Sequence, residues 1–199
     1  MKINHWFVSL SLVVFGAGCA SGGHHEDAMP TEEEMMAKWG AFMTPGPAHE
    51  VLSKKVGTWS LEVNMFQPDG SSTGQSKGTS EVKWIFDGRY LHDTTEGDAM
   101  GMPFQGVGTT AYDNIKQKYV ATWIDNMGTG IMYAEGRYDP ATKTFHYEQQ
   151  MPDPTMSAYV DARATERFLD DDHWVMESYT EGPDGKDYKV MEIRYTRVR

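Results

Sequence analysis

After Val56 the chain has no segment that is both long and helical in its apolar spacing. Short runs rich in Val, Ile, Thr, Tyr and Trp instead alternate with turn chemistry as far as Arg199. The stretch from Gly101 to Phe145, GMPFQGVGTTAYDNIKQKYVATWIDNMGTGIMYAEGRYDPATKTF, is the clearest case. AYDN with the Lys and Gln residues after it, DNMGTG and YDPATK are its punctuation, and strands lie between them. Parallel strands need a crossover of a dozen or more residues, usually a helix, so the strands must pair antiparallel with their neighbours. That restriction admits a meander and little else.

The pattern extends in both directions. In GTWSLEVNMF, Trp59, Leu61, Val63 and Met65 point one way and Ser60, Glu62 and Asn64 the other, as a strand with one buried face requires. PDGSSTG turns into a second strand from Gln75 to Phe86, and Asp87-Gly88 reads as a two-residue hairpin connection into RYLHDTTEG. HYEQQM, AYVDARATERFL, HWVMESYTEG and DYKVMEIRYTRV follow, divided by MPDPTMS, LDDDH and GPDGKD. The predicted fold class is all-β, an antiparallel up-and-down β-barrel of about ten strands over residues 57–199. Closure removes two exposed edges, and Gly97, Gly106, Gly108 and Gly136 offer bend points.

One or two short helices are expected over residues 31–56. Thr31 followed by Glu32, Glu33 and Glu34 reads as an N-cap with acids placed against the helix dipole. Met35, Met36, Trp39, Phe42 and Met43 supply an apolar face, with an end near Gly40. Pro45 and Pro47 break the chain, and AHEVLSKKV from Ala48 to Val56 reads as a second helix packing through Val51, Leu52 and Val56.

The first residues read as an address. Lys2, an apolar run from Trp6 to Phe15 and the small residues Gly16, Ala17 and Gly18 have the shape of an export signal over residues 1–18. The run is shorter than the roughly 20 residues of a membrane-spanning helix, which favours cleavage. Cys19 is the single cysteine, so no internal disulfide forms and the barrel must hold by packing. Residues 19–30 read as a flexible tether. His24 and His25 with Glu26 and Asp27 carry metal-ligand chemistry there, but two adjacent His in a tether do not pre-form a site.

The formal charge is −11, and it becomes −12 once Lys2 leaves with the signal. Phosphate binding needs a basic footprint, so nucleic acid is excluded as an expected partner. The acidic clusters Glu32–Glu34 and Asp170–Asp172 read as solvated faces or turns.

Aromatic and thioether side chains on the strands are candidates to line a ligand pocket: Trp84, Trp123, Met132, Tyr133, Tyr147 and Trp174, with Met100, Met102 and Met127 nearby in sequence. The plain alternative is that they fill a core. Polar residues in register with apolar ones are the sharper signal. Asp125 aligns with Tyr119, Ala121 and Trp123, Glu135 with Ile131 and Tyr133, and Glu192 and Arg194 with Tyr188 and Val190. An inward carboxylate would need a cation such as Arg89, Arg163, Arg167 or Arg194, and the plainer reading is an outward face that carries some aromatics. His92, Asp125 and Glu135 are the candidate acid–base groups; their spacing selects no reaction, and no G-x-S-x-G elbow is present. No cofactor is predicted. The last strand lacks a His for haem, leaving only His173, and Met100, Met102 and Met127 lack a clustered third ligand type for copper(I).

Three sets of residues carry resemblances. Ala17 and Gly18 before Cys19 resemble the lipobox of bacterial lipoproteins, although Gly16 stands where Leu is usual. The resemblance implies a lipidated Cys19, and Ala20 in place of Asp implies the periplasmic face of the outer membrane. Gly57-Thr58-Trp59 after a short helix, heading a meander, resembles the calycin superfamily of lipocalins and fatty-acid-binding proteins. That likeness implies a basic residue of the last strand, Arg194 or Arg197, packed over Trp59. MGMPFQGVGTTAYDN, YVATWIDNMGTGIM, YDPATKTF and GPDGKDYKVMEIRYTR are similar to the uncharacterised bacterial family called domain of unknown function 1579, from about Pro45 to Arg199. The expected function is binding of a small apolar or amphiphilic molecule, with a periplasmic enzyme working in the barrel mouth and a filled interaction scaffold as alternatives.

Overall fold

The computed structural model describes residues 29–99, 101–154 and 156–199. Residues 1–18, read above as an export signal, and Cys19, the His24–His25 pair and Met100 lie outside the described residues. Helix α1 (Glu32–Met43), helix α2 (Pro47–Leu52) and a 3₁₀ turn (Ser53–Lys55) precede ten strands. These are β1 (Gly57–Phe66), β2 (Ser72–Ile85), β3 (Tyr90–Ala99), β4 (Met102–Asp113), β5 (Lys118–Asp125), β6 (Met132–Asp139), β7 (Thr144–Asp153), β8 (Ala158–Phe168), β9 (His173–Glu181) and β10 (Asp187–Arg197). Each pairs antiparallel with the next, and β1 pairs with β10, so the sheet is a closed up-and-down barrel.

At α1, Thr31 Oγ1 accepts from Glu34 N at 3.2 Å while the Glu34 carboxylate accepts from Thr31 N at 2.8 Å, a reciprocal capping box. The helix runs past its expected end at Gly40, because a helical glycine costs only about 1 kcal/mol relative to alanine. It stops at Met43, where Thr44 adopts extended backbone ahead of Pro45. The second expected helix begins one residue early, with Pro47 in its first turn, and tightens into the 3₁₀ turn before Val56.

Two local expectations change. The β2–β3 connection spans Phe86 to Arg89 rather than two residues, with left-handed φ of 50° at Phe86, 55° at Asp87 and 82° at Gly88. In β10 the register shifts between Lys189 and Met191, and that bulge resets the alternation. Glu192 and Arg194 therefore leave the face that carries Tyr188 and pair on the outer wall with Glu177 and Val175 of β9.

Partners across an antiparallel ladder share a face, so the register defines the inner wall. Trp59, Leu61 and Val63 of β1 look inward with Tyr195 and Ile193 of β10, and Tyr119, Ala121 and Trp123 of β5 look inward with Gly136, Ala134 and Met132 of β6. The buried core gathers at one end of the barrel, around Leu52, Trp59, Leu91, Phe145, Phe168 and Trp174.

Candidate functional site in the barrel interior

α2 and the 3₁₀ turn close that end as a floor. Leu52 is completely buried beneath it. The last carbonyls of a helical segment lack internal donors, and strand side chains supply them. Tyr119 Oη donates to Ala48 O at 2.9 Å, and Trp59 Nε1 donates to Lys55 O at 2.8 Å. Arg197 donates from Nη1 to Val56 O at 2.7 Å and from Nη2 to Lys54 O at 2.9 Å. Its guanidinium lies 4.1 Å from the centre of the Trp59 ring. Of the two arginines the calycin likeness offered, Arg197 thus occupies the place over Trp59, while Arg194 projects outward and pairs with Glu192 at 2.8 Å.

The floor delivers a charge into the barrel. The Lys55 side chain is 6 % exposed, forms an ion pair with Glu166 of β8, and lies 5.0 Å and 4.9 Å from the Phe145 and Trp174 ring centres. Such a pair is tolerable only because each charge has its partner. A second carboxylate, Asp93 of β3, accepts from Ser80 Oγ at 2.7 Å and Thr95 Oγ1 at 3.0 Å. Burial raises its pKa against the opposing pull of those hydrogen bonds and of Lys55. Burial, and then the charge of Glu166, likewise pushes the Tyr147 phenol well up; burial and the charge of Asp93 do the same for Tyr195. Among the described residues, Trp174 Nε1 is buried without a hydrogen-bond acceptor, whereas Tyr147 Oη lies within reach of the Glu166 carboxylate.

Above the floor the interior loosens. Trp123, Met151 and Val160 lie on the inward register, yet each is only half-buried and none belongs to the core around the floor. An inward side chain in a closed barrel keeps contact with water only where the lumen or its mouth is open. Trp123 shows how the space is kept. A Cβ on Gly106 would come within 2.2 Å of Trp123 Cζ2, and one on Gly108 within 3.2 Å of Cε3, so the indole lies flat on two glycines of β4. Phe104 stacks beside it at 6.4 Å, and Asp125 fixes it by accepting from Trp123 Nε1 at 2.9 Å. The glycines expected as bend points here act as a cradle.

The structure distributes the predicted residues unevenly. Trp84, Trp123, Met132, Tyr147 and Trp174 face inward, the first packed on the core and the last two within it. Tyr133 does not: it is 42 % exposed on the outer wall, where its hydroxyl donates to Glu135 at 2.7 Å. Glu135 is outside as well, paired with Lys116 and, at 2.7 Å, with Lys118. Those donors hold its carboxyl down at about 2. His92 is on the outer face of β3, opposite Lys83 and Thr109. Asp125 alone of the three acid–base candidates looks inward, at the open end, and it also accepts from Met127 N at 2.9 Å to fix the turn after β5. The three share no cleft. His173 is on the surface, its Nδ1 2.9 Å from Asp170, and among the described residues no three His, Cys, Asp or Glu side chains group as a metal site.

Asp93, Glu166 and Lys55 were not singled out by sequence. Glu166 had a signal, since it shares its register with Ala162, Ala164 and Phe168, an otherwise apolar face. Asp93 shares a face with Leu91, Thr95 and Gly97, too polar to stand out, and Lys55 is 111 residues from its partner. An open depression of about 1100 Å³ on the outer wall of β6–β9 is lined by charges of both signs, including Lys118, Glu135, Arg137, Glu148 and Arg167, and has the character of a solvated face.

Known proteins resemble this architecture more than its sequence. The structure of Rv2717c from M. tuberculosis superposes with a TM-score of 0.58 at 15% identity, covering 78% of this chain and 100% of that one, which supports the fold alone. A redesigned β-barrel matches with a TM-score of 0.37 at 15% identity over 75% of this chain and 96% of its own. No curated protein matches the sequence. The sequence profile of the family described as protein of unknown function (DUF1579) matches residues 44–197, and the chain belongs to that family.

Proposed function

We propose that the protein is an exported, lipid-anchored barrel that binds a small amphiphilic molecule in its lumen. The observation that carries this reading is the graded interior, in which half-buried apolar side chains such as Trp123, Met151 and Val160 stand above a buried polar floor. An apolar body against the wall would exchange water for van der Waals contact at about 25 cal/mol per Å² of area removed from water. A hydrogen-bonding end would meet Asp93, Glu166 and the spare donor Trp174 Nε1. A head without net charge suits this floor best, since Lys55 and Glu166 already neutralise one another and burial disfavours the charged form of Asp93. Binding is favoured over a reaction built on His92, Asp125 and Glu135, because those three are on different walls.

Native mass spectrometry of gently purified protein is expected to find lipid-like adducts. Their absence, together with no displacement of an apolar fluorescent probe by Trp123→Ala, would remove the carrier reading. The anchor is tested separately. Cys19→Ser is expected to release the protein from membrane fractions, and unchanged fractionation of that variant would count against lipidation.

A further inference from the structure

We propose that the sealed end of the barrel, led by the apolar face of α1, docks onto a lipid surface of uncharged headgroups. Successive helical residues turn by about 100°, which gathers Met35, Met36, Trp39, Phe42 and Met43 into an arc of about 120°. These side chains are 45, 69, 59, 48 and 51 % exposed, and α1 has no buried residue. The helix is nonetheless fixed in place. Asn114 Nδ2, in the β4–β5 turn, donates to Ala41 O at 2.9 Å, Phe42 O at 3.2 Å and Thr44 O at 3.0 Å. A fastening through backbone carbonyls at one helix end holds α1 to the barrel while leaving its apolar side chains in water.

The turns at this same end carry a second, independent observation. Ile115, next to Asn114, is 74 % exposed, and Phe86 of the neighbouring β2–β3 turn is 70 % exposed. Phe86 also holds a left-handed φ of 50°, a conformation that costs an L side chain roughly 1 kcal/mol. Within the hairpin the Phe86 ring makes an edge contact with Tyr90 at 6.1 Å, and the rest of it faces outward, where a lipid surface would cover it.

The occupant is argued from chain geometry and charge, and the first of these rests on the anchor proposed above. Cys19 precedes Glu32 by 13 residues, a reach of at most about 45 Å when extended, so an acylated Cys19 keeps α1 within that distance of the bilayer. The acids Glu32, Glu33 and Glu34 in the first turn of α1, and a formal charge of −12 once Lys2 is removed, oppose anionic headgroups. Adhesion is therefore apolar.

The test uses the mature chain from residue 19 carrying Cys19→Ser, so that no acyl group contributes, floated with phosphatidylcholine vesicles. Co-flotation is expected, undiminished in about 1 M salt, where charge effects reach only about 3 Å, and reduced by added phosphatidylglycerol. Trp39→Glu with Phe42→Glu should lower partitioning about tenfold or more, and Phe86→Asp severalfold. Thermal midpoints should not fall, because these side chains are exposed. The proposal is overturned if the unsubstituted chain stays soluble at every lipid concentration, if the Glu variants float equally well, or if the face instead pairs two copies in a dimer that Trp39→Glu dissociates. Failure of the anchor alone would appear differently, as native protein without acyl mass.

Discussion

The two halves of the barrel interior are built from the same strands and behave as different materials. The sealed half is close-packed: Trp59, Phe145 and Leu91 are almost completely buried, Trp174 stacks on Tyr195 at 3.5 Å, and Lys55 enters paired with Glu166. In the open half β4 presents Gly106 and Gly108 inward, and the Trp123 ring lies along that wall. Stability is concentrated where the floor is bolted, and accessible apolar surface where the wall is thin. A barrel of this size either fills its lumen or leaves room for one ligand. In this one the close packing is concentrated at the sealed end.

The sharpest way to break that contrast is at the floor. Lys55→Ala leaves Glu166 buried without its cation and should cost about 3–5 kcal/mol in urea unfolding. The double change Lys55→Met with Glu166→Leu should recover most of it. A single-variant loss below about 1 kcal/mol would mean that the pair is solvated and the halves are less different than they look.

In the open half, Gly106→Ala drives a methyl against the Trp123 ring, and the expected loss is about 1–3 kcal/mol, with the indole displaced into the lumen. Probe binding should fall more than stability does. Equal unfolding midpoints and equal binding for this variant and the parent would show that the ring has room to shift.

Asp93 tests the floor through pH. Its folded pKa is raised above the ordinary 3.8, so the folded state holds the proton more tightly than the unfolded one. Stability should therefore decline as pH rises from about 3.8 through the raised folded value and then level off. Asp93→Asn should flatten that decline in unfolding measured from pH 4 to pH 8. A decline as steep as the parent's would assign it to other groups.

Glu135, on the outer wall, is the control with the smallest effect. Its carboxyl is held down at about 2, so its contribution is present above the ordinary value of 4.5 and lost as pH falls toward 2. Glu135→Gln should change the thermal midpoint only slightly, and salt should erase the difference. A large, salt-insensitive loss would reverse the distinction between inner and outer carboxylates.

Why some of this was legible and some was not follows from particular residues. The alternation in GTWSLEVNMF and the turn chemistry of DNMGTG and YDPATK are local, and they were enough to place strands. In β6 the same reasoning misassigns the face. Tyr133 and Ile131 make the outer wall look apolar, while the inner positions are Ala134 and Gly136, small because Tyr147 and Phe145 of β7 occupy the adjoining lumen. A Cβ at Gly136 would meet His146 O at 2.3 Å and Tyr147 Cδ1 at 2.5 Å, so the neighbour's bulk sets the residue, and no single-strand pattern records it. In β10 one bulge undid the alternation on which Glu192 and Arg194 were read.

What the sequence by itself determined is the class of answer: antiparallel strands joined by tight turns, without a crossover helix, closed to remove two edges, in a family recognisable from its turn motifs. Those properties depend on side-chain periodicity of two and on residues a few positions apart. The tertiary structure alone decided which end is sealed, which carboxylates enter, and that Lys55 meets Glu166 across 111 residues of chain. Closure imposes these pairings, because a charge becomes an inward charge only when distant strands complete the wall around it.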